Sequence, residues 1–222
     1  MTQTLAQKRL VQALVVWILV IVGIRIFSLF DSIPFVYENL STFIAILLIY
    51  PPVLLSLKDK TRIEYWRLDL LSLKTGLKFF LIASLVVFPC AFLVNHFYQR
   101  IAFGNIYHAG SSAIWPYYMF MQLCLIAFPE EFFFRGYLQG VFNGVFVKRR
   151  PVFSTPFGWG PVMVSAIFAL SHSLITLQWW HGFIFFPSLC FAWLKEKTGT
   201  IWAPILFHWC CNLFAYWVVI HY

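Results

Sequence analysis

The chain has 222 residues, of which 61% are hydrophobic and 11% charged, with a formal net charge of +8 and a mean hydropathy of +0.80. Soluble domains carry about 25% charged residues, so a soluble globular reading is excluded. The basic residues sit in short segments between long apolar runs, which reads as membrane orientation and not as a nucleic-acid surface.

The first predicted span covers about Leu10 to Phe30, with Lys8 and Arg9 ahead of it and Arg25 placed to snorkel to the interface. No small-residue cleavage site follows, so this span is expected to be a retained anchor. The second covers about Phe35 to Leu57, with Pro51-Pro52 expected to end or kink it. Lys58 to Lys74 mixes both charge signs with apolar residues, as in a segment lying on the membrane surface. A third span runs from about Gly76 to Tyr98. The fourth element is apolar from about Ala113 to Val147, or ~52 Å as a helix, longer than a hydrocarbon core of ~30 Å. Pro129 is expected to bend it, and Gly136 to Gly140 to begin an interfacial piece. Lys148-Arg149-Arg150 closes it as a loop. Spans from about Gly160 to Leu177, Trp179 to Leu194 and Thr200 to Ile220 complete the chain.

The expected fold is therefore all-α, a polytopic bundle of about seven spans with a membrane-embedded polar site. Eight is the alternative count. With seven, all of the 16 basic residues except Arg25, Arg100 and Arg135 collect on one side, together with the N-terminus. By the positive-inside rule that side is cytoplasmic. The reading is one integral membrane domain over residues 1–222, with a catalytic core at about 112–222 and N-terminal spans over 10–100. Five cysteines in apolar surroundings show no zinc spacing and read as small buried hydrophobes.

Polar residues at membrane depth carry the chemistry. A charged side chain at the bilayer centre costs at least ~2.5–3.5 kcal/mol, so the adjacent Glu130 and Glu131 demand a reason. On a helix Glu131 and Arg135 stand at i, i+4 and can pair, while Glu130 points about 100° away. The division leaves one carboxylate held by arginine and one free for chemistry. Three further clusters follow: Phe168 to His172, His208 to Asn212, and Gln178-Trp179-Trp180-His181. At about 1.5 Å per residue, His172 lies ~17 Å along its span, His208 ~12 Å, Asn212 ~18 Å, and Glu130 ~8 Å deeper than Arg135. These depths allow the four groups to meet. A buried carboxylate with a neighbouring histidine can activate water, and a second histidine with an asparagine amide can donate to a developing oxyanion. Ser171 is an unfavourable nucleophile for His172, because adjacent helix residues do not face each other.

Glu-Glu-x-x-x-Arg, Phe-x-x-x-His and His-x-x-x-Asn occur in this order on separate spans, and Lys197 to His208 leads into the third. Together they resemble the CPBP family, the CAAX-protease and bacteriocin-processing (Abi) intramembrane glutamic endopeptidases. The resemblance covers about Cys124 to Phe214. It implies Glu130 as the base that activates water with His172, His208 and Asn212 as the oxyanion hole, and Glu131 with Arg135 as support. It also implies peptide hydrolysis near a membrane anchor, without cofactor or metal, on a membrane-anchored protein or peptide substrate. The Gln178 to His181 stretch resembles bacterial members linked to proteins with C-terminal anchors or sorting signals, which makes His181 an accessory candidate and a bacterial inner membrane the expected location. Two other readings stay open. One is a zinc peptidase with Glu130, His172 and His208 as ligands, although HExxH is missing. The other is a non-catalytic immunity factor, scaffold or proton-coupled carrier.

Overall fold

The computed structural model describes residues 3–58, 66–109 and 116–222. Much of the expected surface segment after Lys58 lies outside the described residues. Seven helices occur among the described residues, in the order and near the limits expected of the seven spans. They are α1 (Gln3–Ser28), α2 (Pro34–Lys58), α3 (Leu70–Tyr98), α4 (116–145), α5 (Trp159–Thr176), α6 (Phe185–Thr198) and α7 (Trp202–His221). Five stretches are long and apolar enough to cross a membrane: Thr4–Ser28, Pro34–Leu57, Leu70–Phe103, Trp159–Thr176 and Trp202–His221. The other two helices are α4, broken by wide turns, and α6, which has only 14 residues behind a 3-10 turn over Trp179–Ile184. The chain is an integral membrane helix bundle.

Local chemistry accounts for several boundaries. Asp69 caps α3 by accepting from the Ser72 amide at 2.8 Å, and that bond holds its carboxyl below the usual range. Gly199, in the left-handed region at φ 69, stops α6. Pro51 and Pro52 do not end α2, which continues to Lys58. Membrane helices tolerate proline in their interior; one turn later the Ser56 hydroxyl donates to the Pro52 carbonyl at 2.8 Å. Arg25 does more than snorkel: it donates to the Ile175 carbonyl at 2.9 Å, tying α1 to the end of α5.

Helix α4 is the axis. Every residue from Glu131 to Gln139 is buried, so the helix is enclosed all round. The interfacial piece expected at Gly136–Gly140 is instead part of this core. Around it pack α1, α2, α5, α6 and α7, while α3 lies against α6 and α7. Phe133, Phe134, Leu138 and Phe142 of α4 meet Phe168 of α5, Phe191 of α6 and Phe207 of α7 in one apolar cluster. Exposed side chains such as Leu85, Val94 and Val219 form an outer apolar surface suited to lipid.

Two features depart from the sequence expectation. Lys148-Arg149-Arg150 does not close α4 as a plain loop; it opens an antiparallel hairpin of β1 (Arg149–Val152) and β2 (Thr155–Gly158). Its turn places Phe153 and Ser154 at φ 49 and 60, without the Asn-Gly or Asp-Gly signal that such a turn prefers. Trp66, from the expected surface segment, is fully buried against α4. Its indole donates to the Phe132 carbonyl at 2.8 Å, and its ring stacks on Phe132. Gly136 makes the room, since a Cβ there would lie 2.0 Å from the indole nitrogen. Cys90 and Cys190 are exposed on the outer surface, so the buried reading fails for these two.

Candidate active site

The site begins with the irregularity of α4. Pro129 lacks an amide proton and cannot continue the i to i−4 ladder. The helix widens into π turns on both sides, Gln122–Ala127 before it and Phe132–Leu138 after it. The Phe128 amide reaches back five residues to the Leu123 carbonyl. Such wide turns recur at functional sites. Glu130 and Glu131 stand on the single α turn between them.

The two acids have different surroundings. Glu131 is wholly buried and serves two partners. One carboxylate oxygen meets His208 Nδ1 at 2.9 Å and the other lies 3.3 Å from Arg135 Nε. Glu131 is thus more than the arginine's partner: it positions the histidine. Arg135 is buried too, donates to the Ser188 hydroxyl at 2.9 Å and lies over the Phe168 ring at 4.6 Å. Among the described residues Glu130 forms no ion pair with an arginine. Its Oε2 is buried without a hydrogen-bond partner and faces two imidazoles, His172 Nε2 at 3.7 Å and His208 Nε2 at 3.9 Å.

The histidine environments set their protons. His172 Nδ1 lies 2.9 Å from the Phe168 carbonyl. A carbonyl can only accept, so Nδ1 carries the proton, and in the neutral ring Nε2 offers its lone pair toward Glu130. His208 is sandwiched differently. Its ring stacks on Phe191 with centroids 4.8 Å apart, and its Nδ1 faces the Glu131 carboxylate. That carboxylate fixes the orientation of the ring and turns Nε2 toward Glu130.

The structure therefore joins Glu130, His172 and His208 directly, with Glu131 and Arg135 behind them. Asn212 sits one turn beyond His208 on α7 and donates to Gln122 Oε1 at 3.0 Å. His181 lies outside the cluster. It is bound through Nδ1 to the Thr176 hydroxyl at 2.8 Å, which also reaches the His172 carbonyl. Ser171 is engaged elsewhere: its hydroxyl donates to Ile167 and accepts from the Trp17 indole. A cavity of about 120 Å³ opens beside Glu130 and His172, walled by Ile21 and Ile24 of α1 and Ile44 and Leu48 of α2. Among the described residues, no group of three His, Cys, Asp or Glu side chains has an arrangement suited to a metal ion.

Residues 111–214 match the family model Rce1-like, type II CAAX prenyl endopeptidase. Over this stretch the chain is similar to the CAAX-protease family. No curated protein and no solved structure matches it. The family is one of proteases, hydrolases that act on membrane-anchored substrates within the bilayer, and the matched residues include Glu130, His172, His208 and Asn212. Helices α1 and α2, which wall the cavity, lie outside the match.

In the matched stretch, sequence reasoning missed Gln122 and a polar ladder. Arg135, Gln139 and Asn143 continue from Glu131 at four-residue spacing and bond Ser188, Ala192 and Glu196 of α6, each 53 residues later in the chain. Gln139 also donates to Glu196, which pairs with Arg149 of the hairpin at 3.0 Å. The signal was available. An i, i+4 polar stripe inside an apolar run has the same meaning as the Glu pair, since buried polar groups need partners.

Proposed function

We propose that this CAAX-type protease is a glutamic endopeptidase in which Glu130 and His172 activate water. The observation that supports this most is the Glu130 carboxylate oxygen flanked by two imidazole nitrogens at 3.7 and 3.9 Å. Those spans are too long for direct hydrogen bonds and suit one bridging water. Glu130 takes a proton from the water as its oxygen attacks the scissile carbonyl, and His172 Nε2 orients the water through its lone pair. The proton then passes from Glu130 to the departing amine. No acyl-enzyme forms.

Negative charge grows on the carbonyl oxygen during attack. His208, anchored through Nδ1 by Glu131, supplies a ring N–H donor there, and Asn212 supplies a second. Gln122 orients the Asn212 amide by accepting one of its protons. Glu131 and Arg135 hold His208 in place. The apolar walls from α1 and α2 receive an apolar part of the substrate next to the scissile bond. We further propose a single integral domain over residues 1–222 with its catalytic core at about 112–222, a cytoplasmic N-terminus and a bacterial inner-membrane location. The substrate is a membrane-anchored protein or peptide with a C-terminal anchor or sorting signal.

The test is comparative terminal proteomics of membranes carrying the wild type or Glu130→Gln, followed by cleavage of the identified peptide with purified protein. Loss of the new termini with Glu130→Gln and with His172→Ala is the expected result. Full cleavage by Glu130→Gln would sink the mechanism and favour the non-catalytic reading. Loss of cleavage on chelation, restored by zinc, would turn Glu130, His172 and His208 into ligands.

A further inference from the structure

The hairpin between α4 and α5 has no part in the mechanism above, yet it carries the densest positive charge of the fold. We propose that its base binds the headgroup phosphate of an anionic membrane phospholipid, between Lys148, Arg150, Trp159 and the amino end of α5. A pocket of about 650 Å³ lies there, lined by these residues together with Arg149 and Phe157. It is within the ~300–1,000 Å³ range of small-ligand sites.

Three features converge on a phosphate. Arg149 is paired with Glu196 at 3.0 Å, whereas Lys148 and Arg150 have no ion pair among the described residues. Lys195 is the chain neighbour of Glu196, so this acid stands among more cations than it can balance. Helix α5 starts at Gly158 without a side-chain cap. Gly158, Trp159 and Val162 line the same pocket, so it lies at the positive end of an 18-residue helix.

The surroundings select a lipid over a soluble phosphate compound. Helix α5 is apolar enough to cross a membrane and begins at Trp159, so the pocket lies at the level of the headgroups. Val147, Phe153 and Trp159 are exposed around the cations, at 71%, 85% and 66%. Apolar and aromatic side chains interleaved with basic ones at a span's end anchor a protein at the lipid interface. A dissolved anion would need the cations alone.

The experiment uses the full chain in nanodiscs of equal phosphatidylglycerol and phosphatidylcholine, with retained lipid counted by native mass spectrometry. The wild type is expected to retain phosphatidylglycerol at least ~5-fold over phosphatidylcholine, and Lys148→Gln/Arg150→Gln to fall to near parity. Lys8→Gln/Arg9→Gln removes the same charge elsewhere and is expected to keep the preference. Parity in the wild type overturns the site, as does an equal loss in the Lys8/Arg9 control, which would mean diffuse surface charge. Displacement of the lipid by millimolar inorganic phosphate overturns the lipid assignment in favour of a free-anion site.

Discussion

Helices α3 and α4 are both long and apolar, and they are built on opposite terms. The most apolar window of α3 contains no buried residue, and side chains such as Leu85 look outward. Helix α4 has nine successive buried residues and carries two carboxylates, an arginine and three amides. In lipid, apolar side chains gain little by leaving the hydrocarbon, so hydrophobicity alone does not send a helix to the centre. Polar groups that need partners do. The contrast predicts that the bundle is held through the polar stripe of α4 and is tolerant along α3.

The largest effect is expected on catalysis. Glu130→Gln keeps the shape of the side chain and should lower turnover ~10²–10⁴-fold, the usual contribution of a general base. Thermal unfolding in detergent should be little changed, because the buried Glu130 Oε2 has no hydrogen-bond partner among the described residues to lose. A stability loss as great as that of Arg135→Met would mean that the two acids do the same work.

Arg135→Met should destabilise by ~3–5 kcal/mol, because it leaves Glu131 buried with its charge uncompensated. The readout is the unfolding midpoint in denaturant, with activity lost alongside as His208 loses its anchored neighbour. Gly136→Ala should cost ~1–3 kcal/mol as the new methyl group displaces Trp66. The change in tryptophan environment should appear in near-ultraviolet circular dichroism, and an unchanged spectrum would mean that Trp66 does not pack on Gly136.

Asn143→Ala is expected to cost ~1 kcal/mol, one hydrogen bond at the last rung of the ladder, with activity retained. Leu85→Ala, 76% exposed on α3, should stay within ~0.5 kcal/mol of the wild type. A cost at Leu85 equal to that at Asn143 would dissolve the distinction between the two helices.

Much of this was legible in the residues, and for a definite reason. A charged or amide side chain inside an apolar run is conspicuous because its cost in hydrocarbon is large and local. That cost marks Glu130, Glu131, Arg135, His172, His208 and Asn212 without any knowledge of packing. The spacing of apolar runs likewise set the helix order. The hairpin was hidden because its turn uses Phe153-Ser154 in place of the usual glycine-bearing pair. Trp66 was hidden because charged neighbours made its segment read as surface.

What the sequence by itself determined, then, is the membrane class, the helix order and the set of polar groups that must find partners. Which partner each takes was decided by the tertiary structure. The four-residue spacing of Glu131 and Arg135 foretold their pairing, but not that Glu131 also holds His208, which is 77 residues away. Nor could periodicity show that α4 widens on both sides of Pro129 and leaves the two acids on one short turn. Local rules fix the cost of each buried polar group, while the packing of distant helices decides how that cost is met.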